Sequence, residues 1–434
     1  MTLYKNARLR GCTELKDIFV KDGKIEKIAD SGTIAPENAE KIELDGRLVC
    51  EPYCDPHIHL DYVFTSSSFE ENSTGTLFDG IASWSDSKST LTPEMIKERA
   101  KKGLLEQLLG GTQYIRTHID VTDPKLTGLK AMLELREEVK DYADIQIVAF
   151  PQEGMYSYKG GEELVEEALK MGADCVGAIP HFEYTSEMGT RSVKKAVELA
   201  VKYNKLVDVH CDETDDDMSR FVETLAYEAM DNGIGEKTTA SHTCAMGSYN
   251  NAYAFKLFKL LKKSGINFIS CPTENIHLQG RYDTYPKRRG LTRVKELLDD
   301  DINVCFAQDS ICDPWYPLGN GNLMYVLDAG FHICHLTAPQ YMNRALDLIS
   351  ANGAKTLHLG DSYYLRENNP ASFIVIDAKS DFDALRNRAQ VLMSVRNGKI
   401  LFRKEPTAFR TEMLSSCFRS VSYTHLTLPT NSLV

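Results

Sequence analysis

No apolar run in this 434-residue chain approaches the roughly 18 to 20 residues that a bilayer-spanning helix requires, so a helical membrane protein is not expected. The opening Met1-Thr2-Leu3-Tyr4-Lys5-Asn6-Ala7-Arg8 lacks the apolar stretch of a secretory signal, which points to the cytoplasm. Eleven cysteines are present, yet none forms a Cys-x-x-Cys pair. Several of them (Cys175, Cys211, Cys244, Cys271, Cys305) sit in strand-like runs where a reduced thiol serves as a small core residue, so disulfides are not implied. Positive charge is also short. A formal net charge of -12 argues against nucleic acid or another polyanion as partner, because such binding depends on clustered Lys and Arg. The one basic cluster, Lys287-Arg288-Arg289, reads as a solvated loop. A small neutral substrate fits this balance better.

What is present is globular, with 42% hydrophobic and 26% charged residues. Residues 1 to about 50 alternate short β-type runs with turns, including a hairpin signal at Asp22-Gly23. The same texture returns in Ala371 to Asp377 and Val391 to Ile400. Both ends therefore read as one small β-sandwich domain, residues 1–50 with 360–405. Between them, eight β-type runs alternate with helical patterns, the signature of parallel βα units. The runs are Arg47 to Cys54, Tyr114 to Ile119, Gln146 to Phe150, Cys175 to Pro180, Leu206 to His210, Thr238 to His242, Ile266 to Cys271 and Asn303 to Ala307. An α/β fold follows, a (β/α)8 TIM-like barrel over residues 51–359. Helices are expected at Pro93 to Leu109, Glu162 to Met171, Arg191 to Tyr203, Met218 to Asn232, Ala252 to Lys263, Asn320 to Cys334 and Pro339 to Ala351. The Ser-, Thr- and Gly-rich stretch from Tyr62 to Ser89 reads as a long connection suited to a lid or binding loop. From about 411 to 434 the chain reads as a non-native tail, with neither helical period nor turn chemistry.

In such a barrel, reactive residues belong at the carboxyl ends of the strands. His57 and His59 end the first run on one face, His210 ends the fifth, His242 ends the sixth, and Asp309 follows the eighth. His57, His59, His210 and Asp309 make an N3O set for one divalent ion with a position left for water, a set suited to zinc, iron or a similar metal. Asp309 can take a proton from that water, His242 can orient the attacking oxygen, and Glu213 can carry a proton to the substrate.

These residues and their surroundings resemble the amidohydrolase superfamily and, within it, the bacterial cytosine deaminase family. The resembling segments include Asp55-Pro56-His57-Ile58-His59-Leu60-Asp61, Phe150-Pro151-Gln152-Glu153-Gly154, His210-Cys211-Asp212-Glu213, Ala240-Ser241-His242-Thr243, Asn275 to Arg281, and Asp313-Pro314-Trp315, and coverage runs from about residue 1 to 405. The resemblance implies hydrolytic deamination of a free pyrimidine-like base, cytosine to uracil plus ammonia. It implies His57, His59, His210 and Asp309 as metal ligands, Glu213 as proton shuttle and His242 as partner of the attacking oxygen. Gln152 would read the ring carbonyl and ring N–H, with Leu77 and Trp315 lining the pocket. The fourth run ends in Ile179-Pro180-His181 without the lysine that bridges two metals in other superfamily members, so one ion is expected, Fe2+ or Zn2+. A homo-oligomer is also implied.

One departure stands out. The family pattern reads His-Asp-Asp after the eighth strand, and this chain has Gln308-Asp309-Ser310. A second acid is thus replaced by a small neutral hydroxyl, which predicts a roomier pocket that has lost a charged acceptor and accepts 5-methylcytosine or another cyclic amidine. Creatinine deamination, an s-triazine amidohydrolase activity and a catalytically silent metal-binding homologue are the alternatives. His181-Phe182-Glu183 matches half of the nucleic-acid zinc deaminase signature, but the Pro-Cys-x-x-Cys half is missing, so no metal role is assigned to it.

Overall fold

The computed structural model describes residues 1–66 and 72–407, so the tail expected at 411–434 lies outside the described residues. The described chain forms two compact units, residues 1–50 with 365–407, and residues 51–364.

The unit built from both ends is a mixed eight-stranded sheet. Its path runs Lys399–Arg403, Val391–Arg396, Phe373–Ile376, Leu48–Cys50, Thr2–Leu9, Lys16–Lys21, Lys24–Asp30, with Glu40–Glu43 beside Thr2–Leu9. Two tight hairpins set its register. At Asp22-Gly23 and at Asn397-Gly398 both central residues have positive φ, the conformation that matches the twist of the flanking strands. Alternate side chains bury one cluster that includes Tyr4, Ile18, Ile25, Val49, Phe373 and Val395.

The larger unit is a barrel of eight parallel strands: Tyr53–Ile58, Thr112–Asp120, Asp144–Phe150, Cys175–Ala178, Leu206–Cys211, Thr238–His242, Asn267–Ser270 and Val304–Phe306. Each pairs with the next in sequence order. The first and eighth meet at a bridge between Ile58 and Asp309. Helices follow the strands for local reasons. In Pro93–Leu109, Thr92 accepts the Met95 N–H, Pro93 supplies a fitting φ at the start, and Ile96, Ala100 and Leu104 turn inward. Asn251–Ser264 begins on an Asn250 cap and ends at Gly265, whose φ of +69° lies in the left-handed region.

Three expectations change. The run Arg47 to Cys54 is not one strand: Leu48–Cys50 joins the terminal sheet and Tyr53–Ile58 opens the barrel. Pro52 has no N–H to donate to a ladder and separates the two. The stretch from Tyr62 to Ser89 is not all connection, since Leu77–Ser87 is a helix with Thr76 as N-cap and Leu77, Ile81 and Trp84 turned inward. Residues 67–71 of that stretch lie outside the described residues. Pro339 to Ala351 is broken into Pro339–Met342, a 3₁₀ turn at Ala345–Ile349, and Ala351–Thr356.

The barrel interior carries one fully buried ion pair. Arg116 Nη1 donates to Asp208 Oδ2 at 2.8 Å, while its other nitrogens reach Gln146 Oε1 at 3.1 Å and the Thr356 carbonyl at 2.9 Å. Removing one partner leaves a charge without compensation. Arg116→Ala is expected to lower the unfolding free energy by roughly 3 to 5 kcal/mol, seen as a lower denaturant midpoint. A loss below about 1 kcal/mol, the scale of an exposed pair, would contradict this account of the interior.

Candidate metal and substrate site

The first and eighth strands close on each other through main-chain hydrogen bonds. Asp309 N–H donates to the His57 carbonyl at 2.8 Å, and His59 N–H donates to the Asp309 carbonyl at 3.2 Å. The same seam carries three of the four residues expected to hold metal. Asp309 and His242 both take φ of +67°, an unusual conformation for side chains of this size, and the surrounding bonds hold them there.

The four expected ligands converge. His210 Nε2 lies 3.2 Å from His57 Nε2 and 3.1 Å from His59 Nε2, and Asp309 Oδ1 lies 3.5 Å from each of the latter. Divalent-ion bonds to imidazole of about 2.0–2.1 Å place neighbouring ligand atoms about 3.0 to 3.4 Å apart, so these separations suit one ion. Proton placement supports the same fit. Ser241 donates its hydroxyl to Asp208 Oδ1 at 2.6 Å, so its oxygen accepts from His57 Nδ1–H at 3.0 Å and the His57 Nε2 lone pair faces the cluster. A proton on His210 Nε2 can satisfy only one of its two nitrogen neighbours. Burial, followed by the neighbouring cationic forms, holds the pKa of His57 and His210 well below the usual histidine range, and burial does the same for His59. All three are therefore neutral, the state in which imidazole binds metal.

Beside the cluster, Glu213 Oε1 lies 3.4 Å from His242 Nδ1. The Asn275 amide nitrogen, 3.1 Å from that His242 nitrogen, donates to Glu213 Oε1 at 3.3 Å and keeps the two side by side. Burial raises the Glu213 pKa to about 8 and lowers that of His242 to about 3, the latter helped by His181. A protonated carboxyl thus faces a neutral imidazole near pH 7.

These groups open onto a tight chamber of about 20 Å³, room for little more than one water and far below the roughly 300–1,000 Å³ usual for ligand pockets. Leu77, Gln152, Glu213, Asp309, Ser310 and Trp315, all expected from sequence, line it. Tyr62 stacks on His59 with ring centres 4.5 Å apart and donates its hydroxyl to Gln152 Oε1 at 3.2 Å. The Trp315 indole N–H donates to the Leu77 carbonyl at 3.3 Å. Gly80 makes that contact possible, because a Cβ there would meet the indole at 2.5 Å. A larger surface cleft beside Arg288, Arg289 and Arg293 lacks such chemistry: their guanidinium groups are engaged with Asp283, the Ile333 carbonyl and the Met246 carbonyl.

Sequence reasoning missed Tyr62, Leu278 and Glu274, which also line the chamber. Glu274 corrects one expectation. Ser310 is in the chamber, but the chamber has not lost its second carboxyl, which enters instead from the helix Pro272–Leu278 after the seventh strand. Its position at a strand end was the only signal available. Glu183, from the rejected zinc signature, accepts the N–H groups of Met155 at 2.7 Å and Ser157 at 2.8 Å and so braces the loop that follows Gln152.

Comparison with known proteins agrees with this geometry. A model described as the amidohydrolase family matches residues 40–402. The N-isopropylammelide isopropyl amidohydrolase of Pseudomonas sp. (strain ADP) is 28% identical over 93% of this chain and 97% of its own length. The pterin deaminase of Rhizobium rhizogenes is 26% identical over 90% of this chain and 88% of its own. Among solved structures, 5-methylcytosine deaminase from Klebsiella pneumoniae liganded with 5-fluorocytosine superposes with a TM-score of 0.93 at 52% identity, covering 94% of this chain and 99% of that one. A His210→Ala variant is expected to lose at least about tenfold in affinity for a divalent ion, measured by competition with a chelator, while its circular dichroism stays that of the parent. Unchanged affinity would remove His210 from the set.

Proposed function

The chain belongs to the amidohydrolase family, and on that premise we propose that it is a divalent-metal-dependent deaminase of free cytosine-type bases that accepts 5-methylcytosine at least as well as cytosine. The observation that carries the reading is the 52% identity, over nearly the whole chain, with a 5-methylcytosine deaminase. The small hydroxyl of Ser310 in the chamber lining supports it. A cytoplasmic location and a homo-oligomeric state belong to the same proposal.

His57, His59, His210 and Asp309 would hold Fe2+ or Zn2+, which when bound supplies Lewis acidity that eases loss of a proton from water near neutral pH. The remaining work falls to the chain. Gln152, steadied by Tyr62 at one lone pair, offers its amide N–H to the ring carbonyl and its second lone pair to the ring N–H. Glu213, protonated below about pH 8, donates to the ring nitrogen next to the carbon that bears the amine. Asp309 accepts a proton from the attacking water as its oxygen bonds to that carbon. Neutral His242 holds the oxygen in line. On collapse the carbon–nitrogen bond breaks, the amine takes the proton from Asp309 and leaves as ammonia, and the new carbonyl returns a proton to Glu213. Ser310, shorter than a carboxylate side chain, leaves space at the ring edge for a methyl group.

The test is ammonia release from metal-quantified protein with cytosine, 5-methylcytosine, isocytosine and creatinine side by side. Release from 5-methylcytosine at least equal to that from cytosine is expected, and Glu213→Gln should lower kcat by a factor on the order of 10² to 10⁴ with its metal retained. Activity on creatinine alone, or none on any of the four, would contradict the reading. The pH profile gives an independent check. Burial raises the Glu213 pKa to about 8, so the donating form is present below that value and lost above it. The rate should fall about tenfold per unit above about pH 8, and a rate still rising at pH 9.5 would exclude Glu213 as the acid.

A further inference from the structure

Glu274 is the buried carboxyl in the chamber to which the mechanism above gives no task. It is 1% exposed and lines the chamber; the Ser310 hydroxyl is near enough to act on it, but neither oxygen makes a hydrogen bond of ordinary geometry. It belongs to no metal-competent cluster among the described residues. Burial, then Asp309, Asp313 and Glu213, pushes its pKa well up, and the Ser310 hydroxyl draws it partly back. A buried carboxyl short of hydrogen-bond donors is costly to keep, so its place in a ligand chamber points to a hydrogen-bonding partner that arrives with the ligand. The other polar groups of a cytosine-type ring are already matched: Gln152 faces the carbonyl and ring N–H, and Glu213 the ring nitrogen. The exocyclic amine, with two N–H donors, still lacks an acceptor.

We propose that Glu274 is a substrate-contacting specificity residue whose carboxyl accepts a hydrogen bond from the exocyclic amine, from the helix Pro272–Leu278 rather than from position 310. This rests on the deaminase reading. Placing the acceptor at 274 and only a hydroxyl at 310 separates two demands that a single acid at 310 would join, holding the amine and crowding the adjacent ring edge. The amine is gripped while the edge that carries a 5-methyl group stays open. The same contact is present in substrate and weakens as the amine becomes ammonia, so Glu274 contributes to binding and to discrimination against rings that lack the amine.

The test compares the metal-loaded parent with Glu274→Gln, Glu274→Val and Glu274→Val/Ser310→Asp, reading kcat/KM for cytosine and 5-methylcytosine, metal content and Tm. Glu274→Val is expected to lose about 30-fold on both substrates with metal content unchanged, and Glu274→Gln, which keeps one acceptor, about fivefold. In the double variant, cytosine activity should recover about tenfold over Glu274→Val while 5-methylcytosine activity does not. If Glu274→Val fails to hold metal or fold, the near-isosteric Glu274→Gln carries the decision. Single variants within threefold of the parent on both substrates, or a double variant that recovers both substrates equally, would overturn this role and leave the deaminase reading standing. A parent inert toward both bases would overturn the two together.

Discussion

Two backbone hydrogen bonds, Asp309 to the His57 carbonyl and His59 to the Asp309 carbonyl, are the constraint on which the active architecture depends. They join the last strand to the first, so closure of the barrel and placement of three ligand-type side chains are one event. Loops long enough to be mobile would have to be ordered on binding; a seam of strand backbone is ordered by folding itself. The left-handed backbone at Asp309 and His242 costs about 1–3 kcal/mol each and is sustained by the pairing around it. His210, from the fifth strand, then meets the seam across the barrel mouth.

Below the seam, a chain of polar contacts runs from the barrel interior to the ligands. Arg116 pairs with Asp208, Asp208 accepts from Ser241, and Ser241 accepts from His57. Each contact fixes the next donor, and the last fixes which nitrogen of His57 faces the cluster. The surrounding burial acts in opposite directions on the two kinds of acid-base group. It drives the histidines neutral and raises Glu213, so imidazole ligands and proton donor reach working states through one low-dielectric environment. The same burial raises Asp309 and leaves its ionisation to the charge of a bound ion. No strongly positive surface is needed for this chemistry, in keeping with the acidic chain.

Much of this could be read from residue order. Seven of the eight barrel strands and most helices follow from hydrophobic period and turn residues, because each element buries a face against its neighbours in sequence. The first strand was legible only in part: the run Arg47 to Cys54 holds Leu48–Cys50 and the start of Tyr53–Ile58, which serve two sheets, and period alone does not divide it. The helix Leu77–Ser87 was hidden because Ser, Thr and Gly dominate its approach, whereas its inward residues are few. The strand-end positions of His57, His59, His210, His242 and Asp309 were apparent as a pattern. Gln152, Leu77 and Trp315 came from family resemblance, since no spacing rule marks a pocket wall. Glu274 fell outside both routes, a lone acid on a short helix whose meaning depends on three-dimensional proximity to Ser310.

The central claim, that one ion sits where the barrel closes, is tested most directly by anomalous diffraction from crystals of the metal-loaded protein at the iron and zinc absorption edges. The account predicts one peak per chain, about 2.0–2.3 Å from the Nε2 atoms of His57, His59 and His210 and from an Asp309 oxygen. A peak centred elsewhere, or two peaks in the barrel mouth, would contradict it.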